Sequence, residues 1–359
     1  MKVGFVLLSG PGNPIPSTRV AVLNILPLLR VAGVEAEILF SPETPSETPV
    51  LPDDLAQRAC AAGHDIVVFQ KLRGPAVARL VGQLRAVGIR TAYLVCDLVD
   101  IEMADITDAT VLVTEFLRSQ YPPHLAAKLH VVHDGIEHPE LVKHALDLSR
   151  GSRRSPLRAV LVTSAALDAL PVLGSPPDWL RVTVVGRYVL RLDRRARLDR
   201  LRWTLAEKSG WASRLAYLRF LADRRICCEA WDAAGVYEHL ARADIGIIPI
   251  DSAPSVAGVG APVPGWKLKS ENRLTLKMSV GLPVVATPIP AYEPVIDQGV
   301  NGYLAQSRAQ WLEALDVLRD PEARHRIGQA ARASVLHRFS QQEQARRLVE
   351  VFTLLTRPE

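Results

Sequence analysis

Between Lys267 and Ala305 the chain reads KLKSENRLTLKMSVGLPVVATPIPAYEPVIDQGVNGYLA. Lys267 and Lys269 precede Ser270, and Asn272 and Arg273 follow at once. A helix is expected to begin near Ser270. Its first N–H groups have no partner within the helix, and the positive end of its dipole lies there. With cationic, hydroxyl and amide donors gathered at the same place, the chemistry that fits is the binding of a phosphate or diphosphate. Gly281-Leu282-Pro283 breaks the helix, and Val284–Ala286 is an apolar run of the kind buried in a parallel sheet. A second helix and a Gly-rich turn are expected after it. The competing reading of Ser270 is an ordinary helix cap beside solvated lysines.

Other chemistry-bearing residues fall at the ends of expected strands. Gln70-Lys71 closes one, and Asp97 closes another with Asp100 close behind. A carboxylate at a strand end suits a general base or a hydroxyl ligand, and a lysine there can pair with it. Thr18 and Arg19 open a helix, where Arg19 suits an anionic group. Gly186-Arg187 ends a strand in the second half, which makes Arg187 a candidate for a diphosphate contact. For each, the alternative is a surface ion pair or a cap.

The elements that position these residues alternate along the chain. In the first half strands are expected near Val3–Leu8, Ala36–Phe40, Ile66–Phe69, Thr91–Cys96, Thr110–Val113 and Leu129–Val132, with helices over about Thr18–Ala32 and Pro75–Val87. LSRGSRRSP (Leu148–Pro156) reads as a linker. Strands then recur near Ala159–Val162, Val182–Val185, Ile245–Ile248, Pro283–Ala286 and Tyr303–Leu304. A long Arg-rich helical region spans about Leu190–Ala222, and helices close the chain at about Arg308–Arg319, Pro321–Arg338 and Ser340–Leu355. This alternation predicts two α/β, doubly wound, Rossmann-like domains facing a central cleft, with ligands at the C-terminal ends of the strands. The domains are placed at 1–147 and 157–339, with 148–156 as linker and the C-terminal helix, about 340–359, packing back on the first.

At 359 residues the chain suits two cores, and 48% hydrophobic with 23% charged residues is a globular balance. The net charge of +5 is too diffuse to argue for nucleic acid. Cys60, Cys96, Cys227 and Cys228 show no metal-ligand or disulfide spacing. The apolar N-terminus reads as a first strand, not a signal peptide, and a cytoplasmic location is expected. For the Arg-rich region, whose cations alternate with Leu, Trp and Tyr, the expectation is a solvated helix laced with Arg–carboxylate pairs. Contact with anionic lipid, an oligomer partner or an acidic acceptor is the lesser reading.

The second half resembles a known family. His239-Leu240-Ala241-Arg242-Ala243-Asp244 before Ile245–Pro249 is similar to an "L-x-x-A-D" helix and strand. Gly281, Pro283-Val284-Val285-Ala286-Thr287, Val295-Ile296 and Asn301-Gly302-Tyr303-Leu304 follow in the order found there. In the first half Val131-Val132-His133-Asp134-Gly135-Ile136-Glu137 resembles "V-I-x-N-G-V-D". These segments resemble GT-B-fold glycosyltransferases, family 4 in particular. The resemblance implies a hexosyltransferase-like enzyme that moves a sugar from a nucleotide diphospho-sugar, its co-substrate, to an acceptor. It implies neither a resident cofactor nor a bound metal, and suggests retention of anomeric configuration.

Under that resemblance Asp97, Lys71 and Glu271 are the candidate catalytic residues. The donor would meet Gly186, Arg187, Trp231, Lys267, Lys269, Ser270, Asn272 and Arg273, with Trp231 beside the base. Gly10, Gly12, Thr18 and Arg19 form an acceptor or phosphate loop, and Asp251–Gly265 is read as a lid. One departure stands out. Many family members carry two glutamates eight positions apart, and here those positions hold Leu268 and Leu276. Either Glu271 takes over a donor contact from a neighbouring turn or ribose is recognised differently. The alternatives are a catalytically silent relative that binds nucleotide-sugar or a partner enzyme, and a sugar-nucleotide epimerase of the same fold.

Overall fold

The computed structural model describes residues 1–145, 147–188, 194–233, 235–252 and 263–357. The chain divides into two compact units. The first comprises Met1–Glu137, Ala257–Asn272 and His337–Glu359, and the second His138–Val256 and Arg273–Leu336. A continuous second domain over 157–339 is therefore replaced by an interrupted one, because the segment ending at Asn272 clusters with the first unit.

In the first unit six parallel strands run in the order β2-β1-β3-β4-β5-β6. They are β1 (Lys2–Val6), β2 (Glu35–Phe40), β3 (Ile66–Gln70), β4 (Arg90–Val95), β5 (Ala109–Leu112) and β6 (Leu129–Val131). The unbroken apolar runs are explained by burial on both faces. Along β3, Ile66 and Val68 enter one core while Val67 and Phe69 enter the other. The helix Gln341–Thr356, capped by Ser340, closes one of those cores, with Phe352 edge-on to Phe5 at 6.4 Å.

The second unit repeats the plan in the order β12-β11-β10-β7-β8-β9. Its strands are β7 (Leu157–Val162), β8 (Leu180–Gly186), β9 (Ile226–Ala230), β10 (Ile245–Ile248), β11 (Val284–Ala286) and β12 (Tyr303–Leu304). Strand β9, ICCEA, is absent from the sequence reading, since a short half-buried edge strand leaves no strong apolar signal.

Four expectations are corrected. The helix expected over Thr18–Ala32 is divided into Pro16–Thr18, a π-helical turn at Arg19–Leu23 and Leu26–Val31. Pro27 has no N–H to continue the helix and instead starts the next one. The helix expected near Ser270 spans Asn272–Ser279. No helix follows β11, where Pro288, Pro290 and Pro294 withhold three backbone donors and leave turns. The long Arg-rich helix is two, Arg194–Glu207 and Gly210–Ala222, parted where Gly210 takes φ +81°. The expected lid falls largely on 253–262, outside the described residues. Among the described residues no helix is long and apolar enough to cross a membrane.

Candidate functional site

The C-terminal ends of the first unit's strands gather the titratable groups. Lys71 follows β3 directly and holds a left-handed backbone, φ +58°, which a long side chain adopts only when its surroundings enforce it. Its N–H donates to the Leu94 carbonyl at 2.8 Å, and its Nζ lies 2.7 Å from Asp97 Oδ1, just beyond β4. Lys269 approaches the other oxygen, Oδ2, at 3.4 Å. Burial alone would raise the Asp97 pKa, but the two lysines outweigh it and hold the carboxyl below its ordinary range. The Lys71 ammonium is opposed by its burial, yet its anionic neighbours keep its pKa above the usual value.

A second cluster lies behind this one. Asp134 and Glu271 are both buried, and Ser270 donates to Asp134. Burial, reinforced by the Glu271 carboxyl, pushes Asp134 up to about 7. His133 Nδ1 donates to the Val113 carbonyl at 2.9 Å. It also lies 2.8 Å from Glu271 Oε1, outside hydrogen-bonding alignment, so that buried oxygen has no hydrogen-bond donor. A cavity of about 30 Å³, room for a water, adjoins Gln70, Lys71, Cys96, His133 and Asp134. Sequence reasoning passed over Asp134. The available signal was an Asp at the asparagine position of the "V-I-x-N-G-V-D" pattern.

The predicted acceptor loop is wired inward. Ser9 donates to Thr18, and Thr18 donates to Gln70 Oε1, both at 2.9 Å and buried, while the Leu8 N–H also donates to Gln70 at 3.1 Å. Thr18 thus braces the turn that carries Gly10 and Gly12. A Cβ at Gly10 would stand 3.3 Å from the Pro42 carbonyl oxygen, whereas one at Gly12 would meet nothing. Arg19 closes a fork on Glu137, at 2.7 and 3.0 Å, which Asn24 joins.

The second unit places Gly186 and Trp231 side by side, the Trp231 N–H donating to the Gly186 carbonyl at 2.8 Å. Backbone packs so closely at Gly186 that a Cβ would lie 2.3 Å from the Ala165 carbonyl oxygen. Arg187 follows it, and Asp232 caps the next helix through the Gly235 N–H at 2.6 Å. Arg273 stands in the first turn of its helix, and its carbonyl accepts from the buried Lys277 at 3.1 Å. Lys267, Lys269, Ser270, Glu271 and Asn272 belong to the first unit, with Lys267 over the Trp266 ring at 5.4 Å. Leu268 and Leu276 are packing residues. Leu268 is buried in a first-unit core, and Leu276 packs against Val236, Leu240 and their neighbours in the second. Among the described residues no group of three or more His, Cys, Asp or Glu is arranged to hold a metal ion.

No family model matches the chain, and no curated protein matches it. Solved structures do. Anabaena HepE in complex with UDP is similar at a TM-score of 0.66 and 14% identity, over 99% of this chain and 100% of that one. A glycosyltransferase from Rickettsia africae is similar at 0.66 and 12%, over 100% and 99%. The sucrose-phosphate synthase of Thermosynechococcus elongatus follows at 0.61 and 12%, over 99% and 98%. The fold is GT-B. The two six-stranded parallel sheets are the two Rossmann-like halves of the GT-B plan, and at these identities the likeness is one of fold.

Proposed function

We propose that this chain is a glycosyltransferase of the hexosyltransferase kind, taking its sugar from a nucleotide diphospho-sugar. The observation that carries the reading is the full-length likeness to HepE, which was solved with UDP and with UDP-glucose. The Lys71–Asp97–Lys269 cluster at the strand ends supports it.

In the proposed reaction an acceptor hydroxyl attacks the anomeric carbon, the bond to the diphosphate breaks, and the hydroxyl proton passes to the departing diphosphate oxygen. Asp97 accepts a hydrogen bond from that hydroxyl. Its lowered pKa makes it a firm anchor and a weak base, so its contribution is orientation. We assign the donor diphosphate to Arg187 and Arg273 of the second unit, with Trp231 beside the base. These cations take the part that a metal plays in other sugar transfers. Glu271, buried beside His133, is a positioning residue for the Asp134–Ser270 pair.

A second reading, a silent relative that binds nucleotide-sugar without turnover, is favoured by the burial of Leu268 in a hydrophobic core. The two separate in an assay of nucleoside diphosphate release from UDP-, GDP-, dTDP-, CDP- and ADP-sugars with a panel of hydroxylic acceptors. Acceptor-dependent release that falls about 10²-fold in Asp97→Asn supports transfer. Donor binding with no release for any acceptor contradicts it.

A further inference from the structure

The helices Arg194–Glu207 and Gly210–Ala222 of the second unit carry their apolar side chains on the wrong side for a solvated pair. In the second of them Phe220 is buried in the unit's core. Trp211, Leu215, Leu218 and Ala222 stand at i, i+4, i+7 and i+11, one stripe on the face opposite Phe220. Trp211 is 84% exposed, Leu215 48% and Leu218 43%, and Trp203 on the preceding helix is 64% exposed. Arg214 and Arg219 flank the stripe on its two sides, and the Arg214 guanidinium lies 5.8 Å from the Trp211 ring. A helix that met only water would present polar residues there.

Charge identifies the occupant. From Arg194 to Ala222 the sequence holds eight Arg and Lys against two Asp and Glu, a net +6 in a chain of net +5. The remainder is therefore slightly acidic, and the positive charge of the molecule is concentrated on these helices. A second copy meeting this face symmetrically would set like charge against like charge. Exposed Trp and Leu between cations match an interface in which rings and aliphatic chains enter the headgroup region while guanidinium groups meet phosphate.

We infer that the face formed by Trp211, Leu215 and Leu218 with Arg214 and Arg219 docks the second unit on an anionic lipid bilayer. The docking is peripheral and needs neither donor nor acceptor, so it stands apart from the transfer reaction. It develops the lipid reading of the Arg-rich region in place of the solvated one.

The test is co-sedimentation of the full chain with phosphatidylcholine vesicles, with and without a third of phosphatidylglycerol. The expected result is binding to the anionic vesicles alone, weakened by salt, with a blue shift of tryptophan emission. The double substitution Trp211→Ser with Leu218→Ser is expected to lower partitioning by at least about tenfold. Both side chains face solvent, so its melting temperature should match the parent. Failure of the parent chain to bind anionic vesicles at low salt would overturn the inference. So would binding that the double substitution leaves intact, since that is charge attraction without docking. A concentration-dependent dimer abolished by the same substitutions, without vesicle binding, would assign the face to a second copy and overturn it equally.

Discussion

Lys71 Nζ and Asp97 Oδ1 lie 2.7 Å apart at the ends of adjacent strands, and Lys71 takes a left-handed backbone to make the contact. A strained residue whose side chain fixes the charge of its neighbour is a device for orientation. Lys71→Met should therefore release Asp97 as well as remove a cation. Turnover is expected to fall by about 10²-fold, and Asp97→Asn by a similar factor. Because the pair acts as a unit, the double substitution should cost little more than either single one. Steady-state kinetics of the three variants checks this, and independent, multiplying losses would contradict it.

Asp134 makes stability depend on pH. Its folded-state pKa, about 7, lies above the ordinary 3.8, so the folded protein holds the extra proton between those values. Stability from this group is full below about pH 4 and is lost as pH rises through about 7. Asp134→Asn should remove that decline and raise the melting temperature at pH 8 by several degrees relative to the parent. Thermal unfolding from pH 5 to pH 8 is the measurement.

Lys277 gives the opposite slope. Burial, with Arg273 nearby, lowers its pKa from 10.5 to about 7, so between those values the unfolded chain binds more protons. Its burial penalty is full below about pH 7 and fades as pH rises toward 10.5. Its stem fills the space beside Gly246, where an added Cβ would stand 2.9 Å from Lys277 Cδ. Lys277→Met keeps that stem and removes the charge. Its melting temperature should exceed the parent's at pH 7, and the gain should vanish by pH 10.

Much of this architecture was legible in the sequence because a parallel sheet buried on both faces leaves unbroken apolar runs. Ile66–Phe69 and Ile245–Ile248 are read directly from such runs and fall within the observed strands. The half-buried edge strand Ile226–Ala230 was not, since two cysteines and a glutamate leave it no unbroken apolar run. The site divides the same way. Lys71 and Asp97 were visible because strand ends announce themselves. Their bridging by Lys269 was not, because nothing local shows that the segment ending at Asn272 joins the first unit. The burial of Asp134 likewise depends on partners far along the chain.

Leu268 tests whether its position faces a donor. It is packed in a first-unit core, so Leu268→Glu places a carboxylate among apolar side chains. The expected outcome is destabilisation of roughly 3 kcal/mol or more with no gain in turnover. Chemical denaturation reads the first and the transfer assay the second. A stable variant with improved turnover would mean that the position still faces a donor.

Calorimetric titration of the purified chain with UDP, GDP, dTDP, CDP and ADP, repeated with Arg273→Ala, decides whether the chain takes a nucleotide-sugar donor. Saturable one-site binding of at least one diphosphate is expected, weakened by about tenfold or more when the Arg273 charge is removed. Absence of binding by all five would contradict a nucleotide-sugar enzyme.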